Sequence, residues 1–227
     1  MLGRGLDIHL SRHSLMAVAA LAVVGWGFYH FPEIDLWAAN VLYLGKGQFL
    51  LSNSELSRFF HKPVDMTLKY GFIGALVIYL GLLAAQVRIP ETIKSRLNFV
   101  FITVFTSVLM IINVLFKEFW GRARPSQITE FGGKADFTAA WQVTNQCQSN
   151  CAFTSGHAGI AACLALLAVF LPAKYRMPYL IFAVIFYAVA SFMRMARGAH
   201  FLSDVTISGF VVLVVAMLVK DILRLRL

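Results

Sequence analysis

Charge is what this sequence has least of. Only 14% of its 227 residues are Asp, Glu, Lys or Arg, where soluble chains carry roughly 25%. Carboxylates are scarcest, 11 against 20 lysines and arginines. The shortage excludes an ordinary soluble domain. Cysteine is also rare, at 3 residues. With only Cys147 and Cys151 close together and no histidine nearby except His157, a zinc site is excluded. No internal repeat or low-complexity segment is present, so the chain reads as a single domain over 1–227.

What is there is apolar: 59% hydrophobic residues and a mean hydropathy of +0.73. Six long runs stand out, Ser14–Phe31, Tyr70–Gln86, Asn98–Phe116, His157–Leu171, Pro178–Met193 and Val205–Val219. They predict an all-α integral membrane protein of six spans. The first run lacks a small-residue cleavage site after its core and is expected to be retained. The last three runs are short for spans, and each abuts His157, Arg194 or Asp204. A helix that continues into a polar motif is tolerated where it faces a protein-lined cavity. No charge lies in the middle of any run, which argues against a transporter with charges along a path. The net charge of +9 fits cytoplasmic flanks and anionic lipid better than a nucleic-acid partner.

Short basic connections hold Arg88, Lys94, Arg96, Lys174 and Arg176, and the two ends hold Arg4, Arg12, Lys220, Arg224 and Arg226. With six spans these fall on one side, expected to be cytoplasmic with both termini. The other side takes 32–69, 117–156 and 194–204, with every carboxylate except Asp7, Glu91 and Asp221. Residues 32–69 are expected to be an interfacial helical segment. Asp35 would cap a helix Leu36–Leu44 that ends at Gly45-Lys46-Gly47, and Ser52-Asn53-Ser54-Glu55 would start a second helix reaching His61. Trp37, Phe59 and Phe60 would seat it at the headgroups. It is either a lid over the lipid's path or an anchor.

Three polar stretches fall on that outer side. Lys117 and Arg124 lie two helical turns apart and share a face if the helix persists, pairing a point charge with a planar fork as a phosphate site needs; the alternative is a snorkelling cluster. Ser155-Gly156-His157 opens the fourth run, where backbone N–H groups, a hydroxyl and the helix dipole favour an anion. His157 there is placed to donate a proton; alone, the tripeptide is a helix cap. In the third stretch, Arg194 to Asp204, His200 and Asp204 have i, i+4 spacing. A carboxylate on one imidazole nitrogen would leave the other free to attack. The alternative is a basic membrane-boundary loop.

Together these stretches, Lys117-x6-Arg124-Pro125, Ser155-Gly156-His157 and Arg194-x5-His200-x3-Asp204, resemble the type 2 phosphatidic acid phosphatase (PAP2) superfamily. That family's pattern is Lys-x6-Arg-Pro, Pro-Ser-Gly-His and Ser-Arg-x5-His-x3-Asp. Thr154 replaces the proline and Met193 the serine, and neither change removes a charged or titrating group. The resemblance implies a metal-independent phosphatase without cofactor, working through a phosphohistidine on a phosphorylated lipid. It makes His200 the nucleophile, oriented by Asp204, and His157 the proton donor to the leaving oxygen. Lys117, Arg124, Arg194, Ser155 and Gly156 would hold the phosphoryl oxygens. Arg122, Lys134 and Arg197 are either ligands of a second phosphate or solvated charges.

Gln146-Cys147-Gln148-Ser149-Asn150-Cys151-Ala152-Phe153, Gly198-Ala199-His200-Phe201-Leu202-Ser203-Asp204 and Phe31-Pro32-Glu33-Ile34-Asp35-Leu36 are further similar to the lipid A 4'-phosphatases of Gram-negative bacteria. That likeness implies an inner-membrane enzyme with a periplasmic site. Action on the lipid A 1-phosphate, undecaprenyl diphosphate or phosphatidylglycerol phosphate uses the same residues, as does transfer to a lipid acceptor. A soluble vanadate-dependent peroxidase shares such a site but not the six spans. In an outer loop, Cys147 and Cys151 either form a disulfide or remain free thiols. Cys163 is expected to pack as a small hydrophobe, and Asn113 to face the bundle.

Overall fold

The computed structural model describes residues 10–55 and 65–225. Ser11 caps the first helix, α1 (Arg12–His30), by accepting from the Ser14 N–H. Three of the prolines stand directly before helices, where their fixed φ suits the entry and the missing N–H costs nothing. Pro32 precedes α2 (Glu33–Val41), Pro90 precedes α4 (Glu91–Phe119) and Pro172 precedes α6 (Ala173–Ala196). The remaining helices are α3 (Asp65–Ala84), α5 (Gly156–Phe170) and α7 (Leu202–Ile222).

Five of these, α1, α3, α4, α6 and α7, are long and apolar enough to cross a membrane. The fourth run is shorter, at Gly156–Phe170. Its second half, Cys163–Phe170, is wound as a 3-10 helix. Because a 3-10 turn rises about 2.0 Å per residue, this segment reaches roughly 26 Å, close to the hydrocarbon thickness. Residues Phe105–Phe116 of α4 take the opposite course, the wider π register. There the Asn113 amide donates to the Val108 carbonyl at 2.7 Å.

The membrane core lies between α4, α5 and α7, built from Phe99, Val108, Ile112, Ile160, Ile207 and Val211. By contrast α3 is exposed on nearly all sides, as suits a helix surrounded by lipid. It is tied to α4 by Tyr79, which donates to Asn98 Oδ1 at 2.7 Å and stacks on Phe101. The start of α1 meets the end of α7: Asp221 accepts from the Ser11 N–H at 2.7 Å and from the Ser14 hydroxyl.

The segment after α1 differs from its sequence-level description. Its helix runs Glu33–Val41, and Gly45-Lys46-Gly47 turns a small hairpin, β1 (Tyr43–Gly45) with β2 (Gln48–Phe49). Asp35 does not cap: it sits inside α2 with a fully buried side chain. Trp37 is exposed, as an interfacial ring should be. The helix expected to reach His61, with Phe59 and Phe60, lies outside the described residues.

A second apolar cluster, with Leu42, Phe49, Ile128, Phe131 and Phe201, seats this segment over the loops that follow α4 and α6. The Leu51 N–H donates to the Ala196 carbonyl at 2.8 Å, and the Ser126 N–H to the Gly198 carbonyl at 3.0 Å. Gly198 has φ +65°, and a Cβ there would lie 2.5 Å from the Phe49 ring. Replacing it with alanine combines a strained backbone with an overpacked contact, each costing of order 1–3 kcal/mol. Gly198→Ala is therefore expected to lower the unfolding midpoint in detergent, measured by circular dichroism.

Candidate active site

The last helix turn of α6 ends at Arg194-Met195-Ala196, where the Gly198 N–H donates to the Met195 carbonyl and the Ala199 N–H to the Arg194 carbonyl. His200 follows in the turn before α7, and only 1% of it is exposed. Its Nδ1 lies 2.8 Å from the Ala152 carbonyl oxygen. A carbonyl only accepts, so this contact fixes the tautomer with the proton on Nδ1. Nε2 is buried and has no hydrogen-bond partner among the described residues. One nitrogen is thus anchored and the other left as a bare lone pair.

Asp204 is not the anchor that the i, i+4 spacing suggests. His200 precedes α7 and is not on the helix, and its Nδ1 stands 3.8 Å from Asp204 Oδ2, beyond hydrogen-bond range. Asp204 is occupied elsewhere. Its Oδ2 accepts from the Phe201 N–H at 2.8 Å, and its Oδ1 from Arg122 Nη1 at 2.7 Å.

Arg122 is neither a phosphate ligand nor a solvated charge. It is fully buried, and four of its five N–H groups are engaged. Nε donates to the Thr138 carbonyl at 2.9 Å, Nη1 to Ser203 Oγ at 2.8 Å as well as to Asp204, and Nη2 to Asp35 Oδ2 at 2.8 Å. Desolvation weakens its hold on the proton, but Asp204 and Asp35 outweigh it and the guanidinium stays charged. Lys134 is exposed. Arg197 is half-buried, close enough to Arg124 for its charge, after desolvation, to help lower that arginine's pKa.

Lys117 and Arg124 do not share a helical face, because α4 stops at Phe119. They are gathered instead by one residue: Asn150 accepts from Lys117 Nζ at 2.9 Å through Oδ1 and from Arg124 Nη2 at 2.8 Å through its backbone carbonyl. Cys147 and Cys151, bridged with Cα atoms 5.6 Å apart, bracket this residue. Cys163 is buried in the core.

Ser155 caps α5, its Oγ accepting from the Ala158 N–H at 3.4 Å while its own N–H donates to the Asp204 carbonyl at 3.2 Å. The starts of α5 and α7 are therefore stitched together, with half-buried His157 in the first turn of α5. A Cβ on Gly156 would stand 2.9 Å from Asn113 Oδ1 and 3.5 Å from Lys117 Cε. Glycine is what allows α5 to approach α4 this closely, and Asn113 lies at that contact.

Burial pushes the His200 imidazole well below its ordinary range, and the charges of Arg194, Lys117 and Arg124 push the same way against the Ala152 carbonyl. Three cations from three chain segments thus surround a neutral imidazole, a setting that attracts an anion and repels a proton. In the unfolded chain a histidine titrates near 6.5. Below that pH the unfolded state takes up a proton that the native state refuses, so stability is lost as pH falls. The unfolding midpoint is expected to drop between about pH 7 and pH 5, and His200→Asn to remove that part of the drop.

Among the described residues, no three His, Cys, Asp or Glu side chains gather as a metal site would require. Sequence reasoning missed Asn150 and the Ala152 carbonyl, gave Asp35 only a capping role, and expected Asn113 to face the bundle without placing it at the site. Asn113 alone carried a signal, a polar side chain in an apolar run.

Fold and site together define a multi-pass helical membrane protein with a buried histidine among cationic side chains. Residues 95–226 match the PAP2 superfamily, and the chain belongs to that family. Among curated proteins it is 39% identical over 107 residues to a lipid A 4'-phosphatase of Rhizobium etli, covering 47% of this chain and 42% of the relative. A lipid A 4'-phosphatase of Rhizobium leguminosarum is 37% identical over 50% of this chain and 48% of its own length. The lipid A 4'-phosphatase of Francisella tularensis subsp. novicida is 27% identical, over 89% of this chain and 92% of its own. The chain therefore spans under half of the two Rhizobium relatives and most of the Francisella one. No solved structure matches significantly.

Proposed function

We propose that this protein is a membrane lipid phosphatase that hydrolyses a phosphate monoester through a phosphohistidine, with the 4'-phosphate of lipid A as substrate. The observation that carries the mechanism is His200, held through Nδ1 by the Ala152 carbonyl with Nε2 unpartnered. Family membership and the three relatives' names support the substrate. In the first step Nε2 attacks phosphorus and the bond to the sugar oxygen breaks, with His157 giving that oxygen a proton. In the second, His157 takes a proton from water, which attacks phosphorus, breaks the P–N bond and releases inorganic phosphate.

Lys117, Arg124 and Arg194 neutralise the phosphoryl oxygens, together with the Ser155 hydroxyl and the Gly156 N–H at the start of α5. These fixed cations do the work of charge stabilisation without a metal ion or other cofactor. Asp204 stands 3.8 Å from His200 Nδ1 and acts on it through space.

The Ser11 and Ser14 bonds to Asp221 hold the start of α1 and the end of α7 at one end of the bundle. That supports an even number of crossings, so α5 is counted as the sixth. With the basic connections on that end, both termini are cytoplasmic and the site opens to the periplasm of the inner membrane. The segment beginning at α2 then serves as a brace on the site loops.

The test is mass spectrometry of lipid A from cells with and without the gene, with His200→Ala as control. Loss of one phosphate from the distal sugar, dependent on His200 and insensitive to EDTA in the purified enzyme, is expected. An unchanged lipid A profile with turnover of undecaprenyl diphosphate would replace the substrate; label passing between two lipids would replace hydrolysis.

A further inference from the structure

Asn150 touches two of the site's cations and has no part in the chemistry described above. Its Oδ1 accepts from Lys117 Nζ at 2.9 Å, and its backbone carbonyl accepts from Arg124 Nη2 at 2.8 Å. Lys117 lies in the last turn of α4 and Arg124 in the loop beyond, so no shared helical face aligns them. Both are long, flexible side chains of the same charge, which left alone spread apart. One residue that takes an N–H from each brings them together. An amide oxygen and a peptide carbonyl do so as neutral acceptors, without cancelling either charge.

What holds Asn150 is local. Its φ of +47° is left-handed, a conformation that asparagine adopts more readily than most residues. Residues 148–150 are exposed, so packing does not fix this turn. The Cys147–Cys151 disulfide closes around it instead, and Cys151 is fully buried. Beyond the bridge the chain is pinned to the segment that carries the cations. The Cys151 N–H donates to the Lys117 carbonyl at 3.4 Å, and the Ala152 N–H to the Arg122 carbonyl at 2.9 Å. An exposed turn is thereby tied to a buried, hydrogen-bonded anchor.

We propose that Asn150 is a positioning residue for phosphate binding: clamped by the Cys147–Cys151 disulfide, it sets Lys117 and Arg124 side by side before the substrate arrives. This rests on those two cations as phosphate ligands. An anion that meets cations already in place does not have to order them first. Asparagine suits the task better than aspartate would. A carboxylate at 150 would hold the same two groups but offset one of the positive charges that attract the phosphoryl oxygens.

The test titrates full-length protein in detergent with inorganic orthophosphate, followed by phosphorus NMR, with circular dichroism as the check on folding. Asn150→Gly keeps the backbone carbonyl and accepts the positive φ, so it removes only Oδ1. Its orthophosphate Kd is expected to rise about fivefold to tenfold. Asn150→Asp keeps the turn and both oxygens but adds a negative charge, and a rise of at least about tenfold is expected. Cys147→Ser combined with Cys151→Ser frees the turn and should weaken binding at least as much as Asn150→Gly. A turn with a merely structural role predicts otherwise: glycine and aspartate both tolerate this φ and would leave the affinity unchanged.

Parent-like affinity in a folded Asn150→Gly or Asn150→Asp protein overturns the positioning role, and parent-like affinity in the folded double-serine protein overturns the clamp. If the double-serine protein does not fold, the bridge of the folded parent is opened with a water-soluble phosphine, which leaves two thiols and the phosphine oxide. The same weakening is then expected, and its absence refutes the clamp. A parent that binds no orthophosphate refutes the proposal as well. Parent and variants that bind as proposed, with no phosphate released from purified lipid A, would leave the clamp standing and count against lipid A as the substrate.

Discussion

His200→Ala is expected to end phosphate release, by at least about 10³-fold, while the bundle stays folded. On the proposed mechanism the imidazole supplies the attacking lone pair; His157 is committed to proton transfer, Lys117, Arg124 and Arg194 act on the site as positive charges, and Ser155 Oγ already accepts the Ala158 N–H. The structural cost is one unmet acceptor at the Ala152 carbonyl, of order 1–3 kcal/mol, partly relieved if water enters the space. Inorganic phosphate release from purified lipid A reads the activity, and size-exclusion behaviour with circular dichroism reads the fold. Full activity in a folded His200→Ala protein would remove the phosphohistidine from the mechanism.

Arg194→Ala should be nearly as severe, a loss of about 10²–10³-fold in kcat. Arg194 is 7% exposed, and its charge reaches His200 strongly enough to rank directly after desolvation in depressing the imidazole. On the proposed mechanism Arg194 meets the transferring phosphoryl group, and a buried cation there is worth far more than one at a surface. Arg194→Lys separates charge from shape. The ammonium keeps the field but not the two-pronged hydrogen bonding of the guanidinium, so intermediate activity is expected. Lysine as good as arginine would show that charge alone suffices; full activity in the alanine variant would exclude Arg194 from the phosphate site.

Gly198→Ala acts differently. It loosens the loop that carries His200 from outside, through Phe49, so it should lower stability and activity together, whereas the two site substitutions reduce activity with the fold retained.

Much of this was legible in the residues alone. Hydrocarbon tolerates only backbones that satisfy themselves, so the apolar runs had to be helices. The spacing of Lys117, Arg124, Ser155, His157, Arg194, His200 and Asp204 picked out candidate residues without any geometry, because a phosphoryl group calls for cations, an anion-binding helix start and a nucleophile. The partners within the site were not legible. Periodicity reports which side chains share a helical face, and it paired His200 with Asp204 on that ground; the turn before α7 breaks the helix and leaves the two groups 3.8 Å apart, in ion-pair but not hydrogen-bond range. Arg122 finds Asp35 across 87 residues, a separation over which only packing can act. The true partner of His200 is a peptide carbonyl, which every residue has and no side chain announces. The sequence by itself thus determined that the chain is a membrane protein of apolar helices and which polar residues are candidates for a site. The tertiary structure alone decided which atom touches which, since buried charges and backbone acceptors are matched only when distant segments are pressed together.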